Sequence, residues 1–85
     1  MRSRLLPSFL AELDKLPRDV RRQTGRTFKK FKRNPYHPSL QFKKVRNPYT
    51  YSARVNDDYR VMGIWRDDTI TWFWVGKHSN YDKLI

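Results

Sequence analysis

Eighty-five residues allow one compact domain around one modest core, with no room for a separate cofactor domain. Nineteen Lys and Arg against eight Asp and Glu leave a formal charge of +11, which points to polyanionic partners, while 15% aromatic content argues against a disordered basic tail. The absence of cysteine excludes disulfides, thiolate metal sites and a cysteine nucleophile, and two histidines alone do not close a zinc site.

The charge is uneven. Residues 1–47 carry 14 basic and 3 acidic groups, a net +11, whereas residues 48–85 carry 5 of each. The texture changes at the same place, from helical periodicity to short β-rich runs, as expected for two layers of a single domain spanning 1–85. No apolar run approaches the ~20 residues of a membrane span, and the N-terminus lacks the apolar stretch of a signal peptide. The expected location is the cytoplasm, with no membrane partner.

In chain order, Pro7 and Pro17 each suit an early helical position. Between them Phe9, Leu10, Leu13 and Leu16 recur at helical spacing, predicting a helix of about two turns. From Pro17 to Arg33 the stripe Val20, Thr24, Thr27, Phe28 and Phe31 predicts a second amphipathic helix, stopped by Asn34-Pro35. Its opposite face carries Arg21, Arg22, Arg26, Lys29, Lys30 and Arg33 with no acidic residue among them. That face reads either as a solvated surface or as a nucleic-acid or acidic-protein contact.

Residues 35–39 read as a loop and Leu40 to Val45 as a first strand. Tyr49, Tyr51, Ala53 and Val55 alternate with polar residues, a period-2 strand signal. Asn56-Asp57-Asp58 is a turn, Tyr59 to Trp65 a strand, Asp67-Asp68 a tight turn, and Thr69 to Val75 the most apolar and central strand. The tail from Gly76 leaves the sheet. Large apolar groups on both faces of the last two strands leave open which face meets the helices; Trp65, Trp72 and Trp74 are expected in the core. The result is an α+β domain, an N-terminal helical hairpin on a three- or four-stranded antiparallel sheet.

A three-residue turn at 56–58 would set Arg54 directly opposite Arg60. Adjacent guanidinium groups repel unless an anion lies between them, and Arg suits bidentate phosphate contacts. The pair reads as a phosphate site or as ordinary ion pairs with Asp57, Asp58 or Asp67. His78 follows the last strand and could act as general acid or base, or be merely exposed. Tyr81 could join it, or pack with Leu84.

The segments FLAELDKLPRDV, RNPYHPSLQFKKV, YSARVNDDYRVMG and ITWFWVGKHSNYDKL together resemble the RelE/ParE superfamily of type II toxins. The resemblance implies a microbial-RNase-like fold, helices on a curved antiparallel sheet, and one of two activities. RelE-like members cleave mRNA in the ribosomal A site without a cofactor or metal; ParE-like members poison DNA gyrase. Both are neutralised by an antitoxin, so the implied partners are a small acidic antitoxin protein and, for a nuclease, the ribosome and mRNA. Carried over by position, the resemblance makes Arg54, Arg60, His78 and Tyr81 catalytic candidates. It makes Lys43, Lys44 and Arg46 RNA contacts; Arg22, Arg26, Lys29, Lys30 and Arg33 join them on the charge density of their helix face alone. Ser52 stands where some members have a second Lys, and no Glu is placed as a base. The third reading is a degenerate, purely binding module.

Overall fold

The structure is a computed structural model that describes residues 1–45 and 48–81, the side chain of Tyr81 excepted. Strand β1 (Arg2–Leu5) is followed by helices α1 (Pro7–Asp14) and α2 (Arg18–Arg33) and a 3-10 turn (Pro38–Leu40). The short strand β2 (Lys43–Lys44) precedes β3 (Thr50–Arg54), β4 (Tyr59–Arg66), β5 (Thr69–Lys77) and the one-turn helix α3 (His78–Tyr81). One five-stranded sheet results, in the order β1-β5-β4-β3-β2. No helix among the described residues is long and apolar enough to cross a membrane.

Both long helices form where the apolar spacing places them. Pro7 occupies the first turn of α1, where a missing N–H costs nothing. In α2, Val20, Thr24, Thr27 and Phe31 are buried, and the Thr24 hydroxyl donates to the Val20 carbonyl at 2.8 Å. Asn34 adopts an extended conformation ahead of Pro35 and ends the helix.

The helices cover one face of the sheet. Ala53, Val61, Ile70, Trp72 and Val75 form that face, and Phe9, Phe31 and Leu40 pack on it from the other layer. Trp72 is its centre, with ring centroids 5.3 Å from Phe28 and 5.4 Å from Phe31. A second aromatic chain extends the core toward β2: Phe31 meets Phe42 at 5.0 Å, and Phe42 stacks on Tyr51 at 5.1 Å. Trp72 and Trp65 join or flank this core, whereas Trp74 lies on the opposite strand face, half-buried. The alternation of β4 across a bulge at Met62/Gly63 therefore puts Arg60, Met62, Ile64 and Arg66 on the face away from the helices.

Three local expectations are corrected. The sheet has a fifth strand, β1, which pairs parallel to β5 and makes the sheet mixed. Its sequence, RSRL, is exposed throughout and lacks alternating apolar residues. Its order comes from capping the open edge of β5 with backbone hydrogen bonds, for which any side chains suffice. The first meander strand is shorter than Leu40 to Val45. Leu40 ends the 3-10 turn and Gln41 takes a left-handed conformation (φ 45°), so pairing starts only at Lys43. The tail leaves the sheet two residues later than expected, because Gly76 and Lys77 still pair with Arg60 and Tyr59.

Gly63 shows how tightly β4 and β5 meet at the bulge. A Cβ there would lie 2.9 Å from both Ile70 Cγ1 and Trp72 Cε3, and 3.0 Å from the Thr71 carbonyl oxygen. The backbone oxygen cannot swing away, so Gly63→Ala is expected to cost about 1–3 kcal/mol through overpacking. Urea denaturation, read as a lower midpoint at unchanged slope, checks this.

Candidate functional site

The register of the β3–β4 hairpin pairs Arg54 with Arg60 and Ala53 with Val61. Since Ala53 and Val61 face the helices, both arginines lie on the opposite face, side by side. Asn56 sets this register. Its side-chain oxygen accepts from the backbone N–H of Asp58 (2.8 Å) and Tyr59 (2.9 Å), an Asx turn. Its amide donates to Gln23 Oε1 at 2.6 Å, tying the turn to α2.

The two arginines differ in role. Arg60 is 3% exposed. Its guanidinium donates to Gln41 Oε1 and the Gln41 carbonyl, both at 3.2 Å, and to Ser52 Oγ at 3.0 Å. It therefore holds the 3-10 turn against the sheet. The left-handed Gln41 is costly for a residue with a Cβ, and these charge-assisted bonds offset that cost. Arg54 is half-buried and forms an ion pair with Asp57 across the turn. The Asp57 side chain is 90% exposed, so solvent screens the pair and a phosphate could displace the carboxylate.

Lys43 pairs with Ser52, which puts it on the arginine face, whereas Lys44 pairs with Tyr51 and lies on the helix side at the sheet edge. Ser52 is fully buried against Arg60. Arg60 also pairs with Gly76, two residues before His78, or about 7 Å along the strand. His78 is exposed, and its backbone N–H donates to the Asp58 carbonyl at 2.6 Å, which fixes the start of α3 beside the hairpin turn. Together Asp57, Asp58, Tyr59, Lys77, His78 and Ser79 line a hollow of about 500 Å³. Arg46 and the Tyr81 side chain lie outside the described residues.

Of the ion-pair partners open at the sequence level, Asp57 takes Arg54; neither Asp58 nor Asp67 does. Sequence reasoning missed Gln41 as the holder of Arg60, because the contact crosses 19 positions and depends on a left-handed residue. It also missed Asp57, Asp58 and Lys77 as neighbours of His78. The turn signal at 56–58 was the one available pointer to the two carboxylates.

The helical cations form a separate surface. Arg22, Arg26, Lys29 and Arg33 are exposed on the side of α2 away from the sheet, while Lys30 is half-buried and donates to Ser39 Oγ at 2.8 Å. Arg26, Lys29, Lys30, Lys32, Arg33 and His37 line an open hollow of about 800 Å³. Arg54 and Arg60 lie on the far face of the sheet, so the two sets do not meet on one surface.

In the family comparison, the model of the ParE-like toxin domain matches residues 18–83. The chain belongs to this family. It carries a ParE-like toxin domain. No curated protein sequence matches the toxin. Among solved structures, it resembles a chain of the RelB–RelE antitoxin–toxin complex of Methanococcus jannaschii, with TM-score 0.76 and 20% identity over 96% of this chain and 99% of that one. A chain of the Mycobacterium tuberculosis RelBE2 complex gives 0.72 and 23% identity over 91% and 96%. YafQ of E. coli gives 0.75 and 10% identity over 95% and 98%. At such identities the likeness is one of fold. The toxin shares their helices-on-sheet architecture, which is the α+β class expected from its sequence.

Proposed function

We propose that the toxin is a ribosome-dependent mRNA endoribonuclease that works in the cytoplasm to inhibit translation, the whole chain acting as one catalytic unit. The observation that carries this reading is the Arg54–Arg60 pair beside Lys43 on one sheet face, with His78 at the end of the neighbouring strand. The 2′-hydroxyl of the substrate attacks the adjacent phosphorus. A P–O2′ bond forms, the P–O5′ bond breaks, and a 2′,3′-cyclic phosphate and a 5′-hydroxyl result. His78 or Tyr81 takes the 2′-hydroxyl proton, and a protonated group returns one to the leaving oxygen. Arg54, released from Asp57, stabilises charge on the phosphorane, and Arg60 contributes a fixed positive charge at the rear. The side chains supply the positive charge, so the mechanism calls on no metal or cofactor. Lys43 holds RNA near this site, Lys44 and Arg46 are further RNA contacts carried over from the family resemblance, and the cations of α2 meet phosphate backbone elsewhere on the ribosome.

The partner that silences the toxin is a small acidic antitoxin protein. Charge complementarity supports it, as do the RelB–RelE and RelBE2 complexes among the structural neighbours.

The experiment is translation of a defined mRNA by ribosomes with purified toxin, mapping cut sites. Cuts in the A site are expected, with Arg54→Ala and His78→Ala each slowing them at least ~100-fold. Absence of cuts, or cutting at the wild-type rate by both variants, rejects the nuclease reading.

One observation favours a second reading. Arg60 is sequestered by Gln41 and Ser52, as a structural strut would be. A ParE-like toxin acting on DNA gyrase by protein binding needs the fold and no reactive centre. Inhibition of gyrase supercoiling with intact mRNA would establish that reading instead.

A further inference from the structure

The arginine face has a second end. Arg2 pairs with Thr69 and Arg4 with Thr71, while Ile64 and Arg66 on β4 pair with Thr71 and Thr69. Ile70 and Trp72 point into the core, so Arg2, Arg4, Ile64, Arg66, Thr69 and Thr71 all lie on the side away from the helices. This end is separated from Arg60 by the buried, uncharged Met62 and Ser52. Arg66 lies six residues from Arg60 on β4, about 20 Å along the strand.

Four observations describe what this end would hold. Arg4, Ile64, Arg66, Thr69 and Thr71 line an open hollow of about 500 Å³. Arg4 and Arg66 are exposed, and the ion pairs among the described residues, Lys15–Glu12 and Arg54–Asp57, leave both unpaired although Asp67 and Asp68 are adjacent in sequence. The Arg66 guanidinium sits 4.5 Å from the centroid of the Tyr49 ring, itself half exposed, so a flat cationic plate faces solvent. Ile64 is 42% exposed in mid-strand, where a soluble sheet usually covers an isoleucine or replaces it.

Cations alone would suit any polyanion. Cations with hydroxyl donors, an apolar floor and an Arg–Tyr plate suit an unstacked base together with its phosphates, which is single-stranded RNA. A duplex would offer its phosphates but no base face to the plate. We propose that Arg4, Arg66, Ile64, Thr69 and Thr71 form a subsite for single-stranded RNA flanking the phosphate at Arg54. This inference rests on the nuclease reading and adds a second anchoring point for its substrate.

The test uses a short 5′-labelled single-stranded RNA without ribosomes, titrated by fluorescence anisotropy between 50 and 200 mM salt. Arg4→Ala/Arg66→Ala is expected to weaken binding at least tenfold. The slope of log K against log salt should fall by about 1.4, from two phosphate contacts at ~0.7 each. Both residues are exposed, so thermal melting should be unchanged. Lys15→Ala/Arg18→Ala removes equal charge from the helical side and should do much less. Equal loss in the two double variants, or no loss in either, overturns the subsite. So does a loss seen for a polyglutamate probe but not for RNA, which would make this face a protein dock.

Ribosome-programmed cutting by the same proteins separates the two claims. If the wild type does not cut, the nuclease reading fails, and the anisotropy titration still reports on the subsite. If Arg4→Ala/Arg66→Ala cuts with unchanged concentration dependence and binds RNA normally, the subsite fails and the nuclease reading stands.

Discussion

Arg60→Ala is expected to lower stability by about 2–4 kcal/mol and to slow mRNA cutting at least ~100-fold. The stability loss follows from burial. Arg60 is 3% exposed, and its removal takes one donor from the fully buried Ser52 hydroxyl and another from the Gln41 carbonyl. It also frees the left-handed Gln41, and with it the approach of β2. Because one variant confounds folding with function, two others are needed. Arg60→Met fills the space with an apolar chain, and such replacements of buried charge often recover stability. It should melt closer to the wild type yet still cut poorly. Arg60→Lys keeps the charge but reaches fewer of the acceptors, so its stability should fall between wild type and Ala. Urea denaturation and mapped cleavage on programmed ribosomes measure both effects. An Arg60→Met protein that is folded and cuts normally would show that Arg60 is only a strut, and the nuclease reading would lose its buried cation.

Trp72→Ala is expected to cost about 3–5 kcal/mol. Trp72 is fully buried, its ring meets Phe28 and Phe31, and its indole N–H reaches Ser3 Oγ at 3.4 Å. It pairs with Leu5 on one side and Gly63 on the other, so the cavity would open where three strands and α2 meet. A domain of this size has a total stability of roughly 4–13 kcal/mol, so the substitution removes much of the folding margin. With ~4–8 °C per kcal/mol, the melting temperature should drop by at least ~12 °C. Trp74→Ala, on the other face and half-buried, should cost clearly less. Thermal melts followed by near-UV circular dichroism compare the two. A Trp72→Ala protein that melts within a few degrees of the wild type would place the core elsewhere.

Parts of the site were legible because turns are local. Asn56-Asp57-Asp58 specifies a short hairpin connection, and once its length is known the pleat dictates that Arg54 faces Arg60. The same applies to α2, whose 3.6-residue stripe separates Val20, Thr24 and Phe31 from the cations behind them. What the guanidinium of Arg60 touches was not legible. Gln41 lies 19 positions away, and no short-range signal marks a glutamine for a left-handed conformation. His78 could be placed after the last strand, but its neighbours Asp57 and Asp58 come from another turn.

The amino-acid order alone determined the two helices, the hairpins, the excess of positive charge and its concentration in the first 47 residues. Each of these follows from spacing and turn chemistry within a few positions. Tertiary structure decided which sheet face the helices cover, because Trp72 and Trp74 are equally apolar on paper and only the bulge and Gly63 settle which one goes inside. It also decided that RSRL becomes a strand, since an edge needs backbone partners and not a pattern. Finally, it divided the cations between opposite sides of the molecule, a separation that no linear reading contains because it depends on the direction in which each layer turns its charges.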